Sequence, residues 1–175
     1  MAILPIVTAP DPRLKKPSDM VASIDDKLRR FMDDMLETMY HANGLGLAAV
    51  QVGVHKKVIV IDVGQRENED GEKGIPLFLV NPEIISSSEE EKPYNEGCLS
   101  FPDAFSEVIR PATVHIRYTD YDGLPQELRA EGLLATCIQH EIDHTNGITF
   151  VDHLSTLKRD MIMRKMRKLK RNDHA

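Results

Sequence analysis

The sequence has few of the residues that mark secreted, membrane-spanning or disulfide-stabilised proteins. Cysteine occurs twice among 175 residues, tryptophan is absent and aromatic residues make up 5% of the chain. Two cysteines are too few for a disulfide framework, so we expect a reducing, cytoplasmic environment. No apolar run approaches the roughly 20 residues that cross a bilayer, and no basic segment precedes the short apolar stretch near the N-terminus. We therefore expect no membrane association and no signal peptide.

Length and composition instead indicate a folded globular protein. A chain of 175 residues fits one domain, 1–175, and 41% apolar with 29% charged residues is ordinary for such a domain. The net charge of −6 is unevenly distributed, because eight basic residues and one acidic residue lie between Lys158 and Arg171. The acidic remainder argues against sequence-specific DNA binding. The basic C-terminal helix and tail, residues 158–175, form either a solvated helix face or a surface for a polyanion.

The hydrophobic pattern predicts helices and strands in different parts of the chain. Apolar residues recur at helical spacing from Leu28 to Tyr40, after a capping box at Ser23–Asp26 and before a stop at Asn43-Gly44. Residues 44–51 follow as a glycine-containing loop. Four β-branched or alternating runs predict strands at 58–63, 77–85, 114–121 and 126–130, with an exposed loop at 64–74 and a charged turn at 89–92.

Two further helices complete the predicted fold. The first begins near Gly132, is apolar on one face and stops near Asn146-Gly147. The second carries an apolar stripe from Leu154 to Leu169 beneath its basic residues. This order predicts an α+β fold with antiparallel and mixed β-sheets around a central buried helix, and with a C-terminal helix.

The central helix carries the strongest functional signal, the sequence His140-Glu141-Ile142-Asp143-His144. On a helix, His140 and His144 project from the same face, so one metal ion can bind both. Glu141 then lies beside the metal, placed to take a proton from water. A helix with two incidental histidines is the alternative, but these polar groups are costly to bury on an apolar helix without a common purpose. The pattern indicates metal-assisted hydrolysis.

A catalytic site of this kind needs a third protein ligand and leaves one position open for water. Cys98 is the best candidate, because Gly97 lets the backbone approach closely and a metal would stabilise the thiolate. A lone cysteine is more often a small buried apolar residue than a metal ligand, and the neighbouring residues favour the metal ligand here. Asp152 and His153, downstream of the helix as in common zinc peptidases, are the alternative ligands.

Three segments together resemble one family, the peptide deformylases. They are Gly-x-Gly-x-Ala-Ala-x-Gln at 44–51, Glu-Gly-Cys-Leu-Ser at 96–100 and His-Glu-x-x-His at 140–144. The resemblance runs from Asp11-Pro12-Arg13-Leu14 to the final helix. It implies an enzyme that hydrolyses the N-formyl group of N-formylmethionyl nascent peptides and releases formate.

The resemblance also implies which residues form the metal site. Cys98, His140 and His144 would hold one divalent metal per chain, with Glu141 as general base and acid. Fe(II) is the usual metal in the cell, and the same ligands accept Zn(II), Ni(II) or Co(II) in a purified sample.

Further roles follow from the same resemblance. The side-chain amide of Gln51 and the backbone N–H of Leu99 would bind the developing oxyanion. Gly46 would contact the substrate backbone. Glu96 would pair with Arg110 and hold the cysteine segment in place.

An apolar pocket is expected for the methionine side chain of the substrate. Leu133 and Cys137 lie on one face of the central helix toward it, and Leu45 and Gly97 are further candidates, although plain core packing explains such residues nearly as well. Phe105 stands where some bacterial relatives have an arginine at the rim of the pocket, which places any salt bridge to the substrate backbone in doubt. Thr145 follows the motif where many relatives have leucine, and this difference affects packing more than mechanism.

Two other functions are compatible with the pattern. A metallopeptidase of other specificity shares the His-Glu-x-x-His chemistry, and a purely structural metal site would have four protein ligands and no need of Glu141. The resemblance further suggests that the basic helix Lys158–Arg171 contacts the ribosome.

Overall fold

The computed structural model describes residues 2–65 and 75–173. Most of the exposed loop predicted at 64–74 lies outside these residues, as do residues 174–175 of the basic tail. Within the described part of the chain, no helix combines the length and apolar character that a membrane span requires.

Residues 2–65 and 75–173 contain three α-helices: α1 Asp26–His41, α2 Gly132–Thr145 and α3 Thr156–Asp173. Helix α1 begins directly after Asp25, whose side chain accepts a hydrogen bond from the backbone N–H of Leu28 at 2.8 Å. The capping box predicted from Ser23 is therefore wrong. Asp25 has the extended backbone of an N-cap residue and itself supplies the capping carboxylate.

In the part of the chain that the structure describes, seven strands form two antiparallel sheets. The larger sheet has the order β1-β2-β3-β6-β7, and β4 pairs only with β5 in a separate hairpin. Among the described residues, the predicted mixed pairing is limited to an isolated parallel bridge between Asp19 and Lys56. Short turns such as the one between β6 and β7 join neighbouring strands, and such turns permit only antiparallel pairing. The strands are β1 Gly46–Ala48, β2 Val58–Ile61, β3 Leu77–Ser87, β4 Glu91–Cys98, β5 Phe101–Pro111, β6 Thr113–Thr119 and β7 Pro125–Glu131.

Two segments are more regular than predicted. Residues 44–51, expected as a loop, contain β1 and most of a short 3-10 helix at Ala49–Val52. The charged turn expected at 89–92 is shorter, because β4 already begins at Glu91. Strand β4 is exposed over its first five residues and therefore lacks the alternation that identifies a half-buried strand.

Helix α2 is central, as predicted. It packs against β1, β2 and β7 of the larger sheet and also against β5 of the hairpin. Its buried Ile138 and Ile142 join a core with Ile59 and Ile116 of the larger sheet. Helix α3 packs elsewhere, with Met166 buried in a second core under the hairpin. The motif helix thus lies where both sheets can supply side chains to one site.

Candidate metal centre and cavity

Three predicted ligands meet between the hairpin and the central helix. Cys98 ends β4, and His140 and His144 lie one turn apart on α2. Their ligand atoms lie within 4.8 Å of one another, and Sγ of Cys98 is 3.3 Å from Nε2 of His144. Tetrahedral bonds of about 2.3 Å to sulfur and about 2.0 Å to nitrogen set such atoms roughly 3.5 Å apart. The three side chains therefore fit a single metal ion.

The charges around the three ligands also suit a cation. Burial holds the pKa of His144 well below its ordinary range, so this ring is neutral, as a metal ligand must be. Burial also lowers the pKa of His140, but hydrogen bonds with Cys98 and Glu96 outweigh it and raise the pKa well above the ordinary range. The groups around His140 thus stabilise positive charge at this point, whether a proton or a metal ion carries it.

Glu141 is a buried carboxylate directed at the same point. Its Oε1 lies 3.8 Å from Nε2 of His140, and its Oε2 is buried without a hydrogen-bond partner in the described residues. Burial raises the pKa of Glu141 to about 7, although the charge of His140 opposes the rise. A carboxyl group whose pKa lies near 7, and whose Oε2 has no hydrogen-bond partner among the described residues, can exchange a proton with a bound molecule at neutral pH.

The side chain of Gln51 is fixed so that its amide nitrogen faces the sulfur. Its Oε1 accepts a hydrogen bond from the backbone N–H of Ala48 at 2.9 Å. Its Nε2 lies 3.4 Å from Sγ of Cys98 and donates to Oγ of Ser100 at 3.1 Å. The orientation of the amide is therefore set by two partners, and its donor end lies beside the three ligands.

Glu96 and Arg110 form a buried ion pair behind the metal ligands. The guanidinium donates from Nε to Oε2 at 2.7 Å and from Nη2 to Oε1 at 3.0 Å. Oε1 of Glu96 also lies 2.9 Å from Nδ1 of His140, which leaves Nε2 of that ring free to bind a metal. Burial raises the pKa of Glu96, but the hydrogen bonds with His140 and Arg110 outweigh it, and the pKa lies below its ordinary value.

A cavity of about 690 Å³ opens in front of Cys98, His140 and Glu141. Phe105 lies at its rim, is 66% exposed and covers the backbone of Gly97. Contact of the lining residues with a substrate remains a prediction. The predicted pocket residues Leu45, Gly46, Gly97, Leu133 and Cys137 all line this cavity.

The two alternative candidates for the third ligand interact with other side chains. Asp152 pairs with Lys15, and His153 bonds to Asp143. Sequence reasoning assigned no role to Ser100 or Asp143, although both stand inside the motifs at 96–100 and 140–144. Each is a polar residue whose partner becomes visible only in the folded chain.

The α+β fold and this site define a class of protein, the metal-dependent hydrolases with a His-Glu-x-x-His helix. The family model described as polypeptide deformylase matches residues 3–160. The peptide deformylase of Rickettsia akari is 55% identical over 173 residues, which cover 98% of this chain and 99% of that protein. The peptide deformylase of Zymomonas mobilis is 54% identical over 168 residues, or 96% and 95%.

The solved structures agree with these relatives. The crystal structure of peptide deformylase from Ehrlichia chaffeensis matches with a TM-score of 0.93 and 44% sequence identity, covering 99% of this chain and 100% of that one. The chain belongs to the peptide deformylase family, and the resemblance read from its three motifs is confirmed.

Proposed function

We propose that the protein hydrolyses the N-formyl group of N-formylmethionyl peptides with one divalent metal held by Cys98, His140 and His144. The observation that carries this proposal is the convergence of these three ligands beside Glu141, at an open cavity that Cys98, His140 and Glu141 help to line. A structural site with four protein ligands would leave no position for water or substrate.

The proposed chemistry divides between the metal and the protein. A bound divalent ion supplies Lewis acidity, which lowers the pKa of water and polarises a carbonyl oxygen. Glu141 accepts the proton of the attacking water as the oxygen adds to the formyl carbon. Glu141 then returns that proton to the amine nitrogen as the carbon–nitrogen bond breaks, and formate and a free α-amino group result.

Two hydrogen-bond donors are assigned to the developing oxyanion. The Nε2 amide of Gln51 is oriented toward the site by Ala48 and Ser100, so little reorganisation is needed when charge appears. The backbone N–H of Leu99, next to the ligand Cys98, is the second donor.

The substrate is proposed to bind along β1. Strand β1 is at the edge of the larger sheet, so the backbone at Gly46 can pair with an extended peptide. The methionine side chain enters the cavity between Leu45, Leu133 and Cys137. Fe(II) is our proposal for the metal in a cytoplasmic setting, and metal analysis of protein purified without oxygen tests it.

Replacement of Glu141 separates the proposed mechanism from a structural metal site. We expect Glu141→Gln to keep its metal and its fold but to lose formate release from a formyl-Met peptide by at least 100-fold. Cys98→Ala should lose the metal. Acetyl-Met peptide and an unblocked protein serve as control substrates, and cleavage of internal bonds without formate would favour a metallopeptidase of other specificity. Unchanged turnover by Glu141→Gln would rule out the proposed role.

Contact with the ribosome through α3 is a separate proposal. Arg164 and Lys168 lie one turn apart and are exposed, whereas Met166 faces the core. We expect Arg164→Gln with Lys168→Gln to weaken salt-sensitive cosedimentation with ribosomes while peptide hydrolysis persists. The matched control replaces Lys27 and Arg30, exposed on α1, by glutamine. Equal loss in both double variants would contradict a specific role for α3.

A further inference from the structure

A chain of hydrogen bonds continues from the metal ligands to the surface. Beyond the pair that holds His140, Nη1 of Arg110 donates to Oδ2 of Asp143 at 2.8 Å. The same oxygen lies 2.7 Å from Nε2 of His153, which belongs to the 3-10 helix Phe150–His153. His140, Glu96, Arg110, Asp143 and His153 thus form one continuous series.

We propose that Asp143 and His153 are positioning residues that hold Arg110 and thereby fix the Glu96–His140 hydrogen bond behind the metal. This inference rests on the proposed metal site. It extends that site by two residues, one of which lies in a different structural element.

The geometry of Arg110 supports this role. One edge of its guanidinium faces Glu96, and Nη1, outside that pairing, faces Asp143. Both carboxylates form ion pairs with the guanidinium, at 2.7 Å for Glu96 and 2.8 Å for Asp143. Arg110 is therefore held between two anions. If one carboxylate lost its charge, the guanidinium would be attracted only by the other carboxylate and would move toward it.

The consequence for His140 follows from the shared oxygen. Oε1 of Glu96 is close to both Nδ1 of His140 and Nη2 of Arg110. If Asp143 no longer holds Nη1, Arg110 can pull Glu96 away from the imidazole, and the metal ligand loses its fixed orientation. His153 acts one step further out, because its ring restrains the Asp143 carboxylate.

The test measures the metal itself and not only turnover. Zn(II) is loaded into the full-length protein, and its release to an excess of a chromogenic chelator is followed over time. We expect release about 10-fold faster from Asp143→Asn, which keeps the shape of the side chain but removes its charge. His153→Ala should accelerate Zn(II) release by a smaller factor. His153→Gln retains a hydrogen-bond donor, so its release rate should lie between those of His153→Ala and the wild type. The visible absorption of the Co(II) form should shift in the same order.

A double variant distinguishes positioning from general destabilisation. If His153 acts through Asp143, adding His153→Ala to Asp143→Asn should not accelerate release further. The matched control is His115→Ala, because His115 on β6 pairs with Glu127 on β7 at 3.1 Å, outside the series. It should leave release unchanged.

Release at the wild-type rate from Asp143→Asn would overturn the inference, even if its thermal stability fell. Full additivity in the double variant would remove His153 from the series. Neither result would touch the proposed function, which is tested separately by the metal content of Cys98→Ala, the turnover of Glu141→Gln and the release of formate.

Discussion

Replacing Gly46 by alanine tests how narrowly the structure fixes Glu141. A Cβ at this position would lie 3.0 Å from Cγ, 3.2 Å from Cδ and 3.1 Å from Oε1 of Glu141. Carbon atoms in contact are ordinarily about 3.5–4.0 Å apart. Gly46 is paired with Ile61 in the sheet and Glu141 is held by α2, so one side must yield. The Glu141 carboxylate, with no partner on Oε2, is the group that is free to move.

The size of the effect follows from this displacement. Relief of the contact needs a shift of about 0.5 Å. Misplacement of a catalytic group by about 1 Å costs on the order of 100-fold in rate, so half that shift should cost on the order of 10-fold, or about 1.4 kcal/mol in the activation free energy. We expect Gly46→Ala to lower kcat by this amount while metal content stays complete.

Formate release from a formyl-Met peptide, metal analysis and thermal unfolding are measured on the same preparations. Glu141→Ala provides the control, because it removes Cγ, Cδ and Oε1, the three atoms that the added methyl group would contact. Gly46→Ala should therefore change the thermal unfolding of that variant less than it changes the thermal unfolding of the wild type. An unchanged kcat in the single variant, or a loss fully explained by missing metal, would refute the reasoning.

Three other predictions follow from buried or paired groups. Arg110→Met should reduce the free energy of unfolding by about 3–5 kcal/mol in urea titrations, because two carboxylates lose their partner; a loss below about 1 kcal/mol would contradict this. Burial raises the pKa of Cys137 to about 12, so at pH 8 only about one Cys137 thiol in 10,000 is ionised. Iodoacetamide reacts with the thiolate, so in metal-stripped protein it should modify Cys98 before Cys137. Burial raises the pKa of Asp152, but its interactions with Lys15 and Thr149 together outweigh burial and lower the pKa below 3.8. The Asp152 carboxylate should therefore stabilise the fold at neutral pH, and this contribution should disappear as the pH falls through the lowered pKa. The wild type and Asp152→Asn should then differ in free energy of unfolding at neutral pH but not at low pH. A difference that stays constant with pH would contradict this.

The metal ligands could be predicted because their chemistry leaves a local pattern. His140 and His144 share a helix face by spacing alone, and Cys98 stands in a five-residue segment that agrees with the same family. The outer residues leave no such pattern. Asp143 and His153 are polar residues near a helix end, and only the tertiary approach of Arg110 gives them a shared role.

The hairpin was missed for a related reason. Strand β4 contains Pro93 and Asn95, is mostly exposed and is stabilised by pairing with β5 more than by an apolar face of its own. The small residues at 44–51 predict a loop because glycine ordinarily interrupts regular structure. In the structure, the missing side chain lets Leu99 pack closely against the backbone, since a Cβ at Gly44 would lie 2.6 Å from Cδ1 of Leu99.

The arrangement of the site makes metal binding part of the fold. Cys98 comes from the hairpin, whereas both histidines come from α2, so the three ligands meet only when the hairpin is docked on that helix. The Glu96–Arg110 pair is confined to the hairpin, but its contacts with His140 and Asp143 cross the same interface. A metal that binds only the docked form stabilises it by mass action, by about 4 kcal/mol at 1,000 times its dissociation constant. A metal bound at the proposed site would therefore hold together the same two elements that the buried ion pair joins, so that metal and ion pair would stabilise the same docked arrangement.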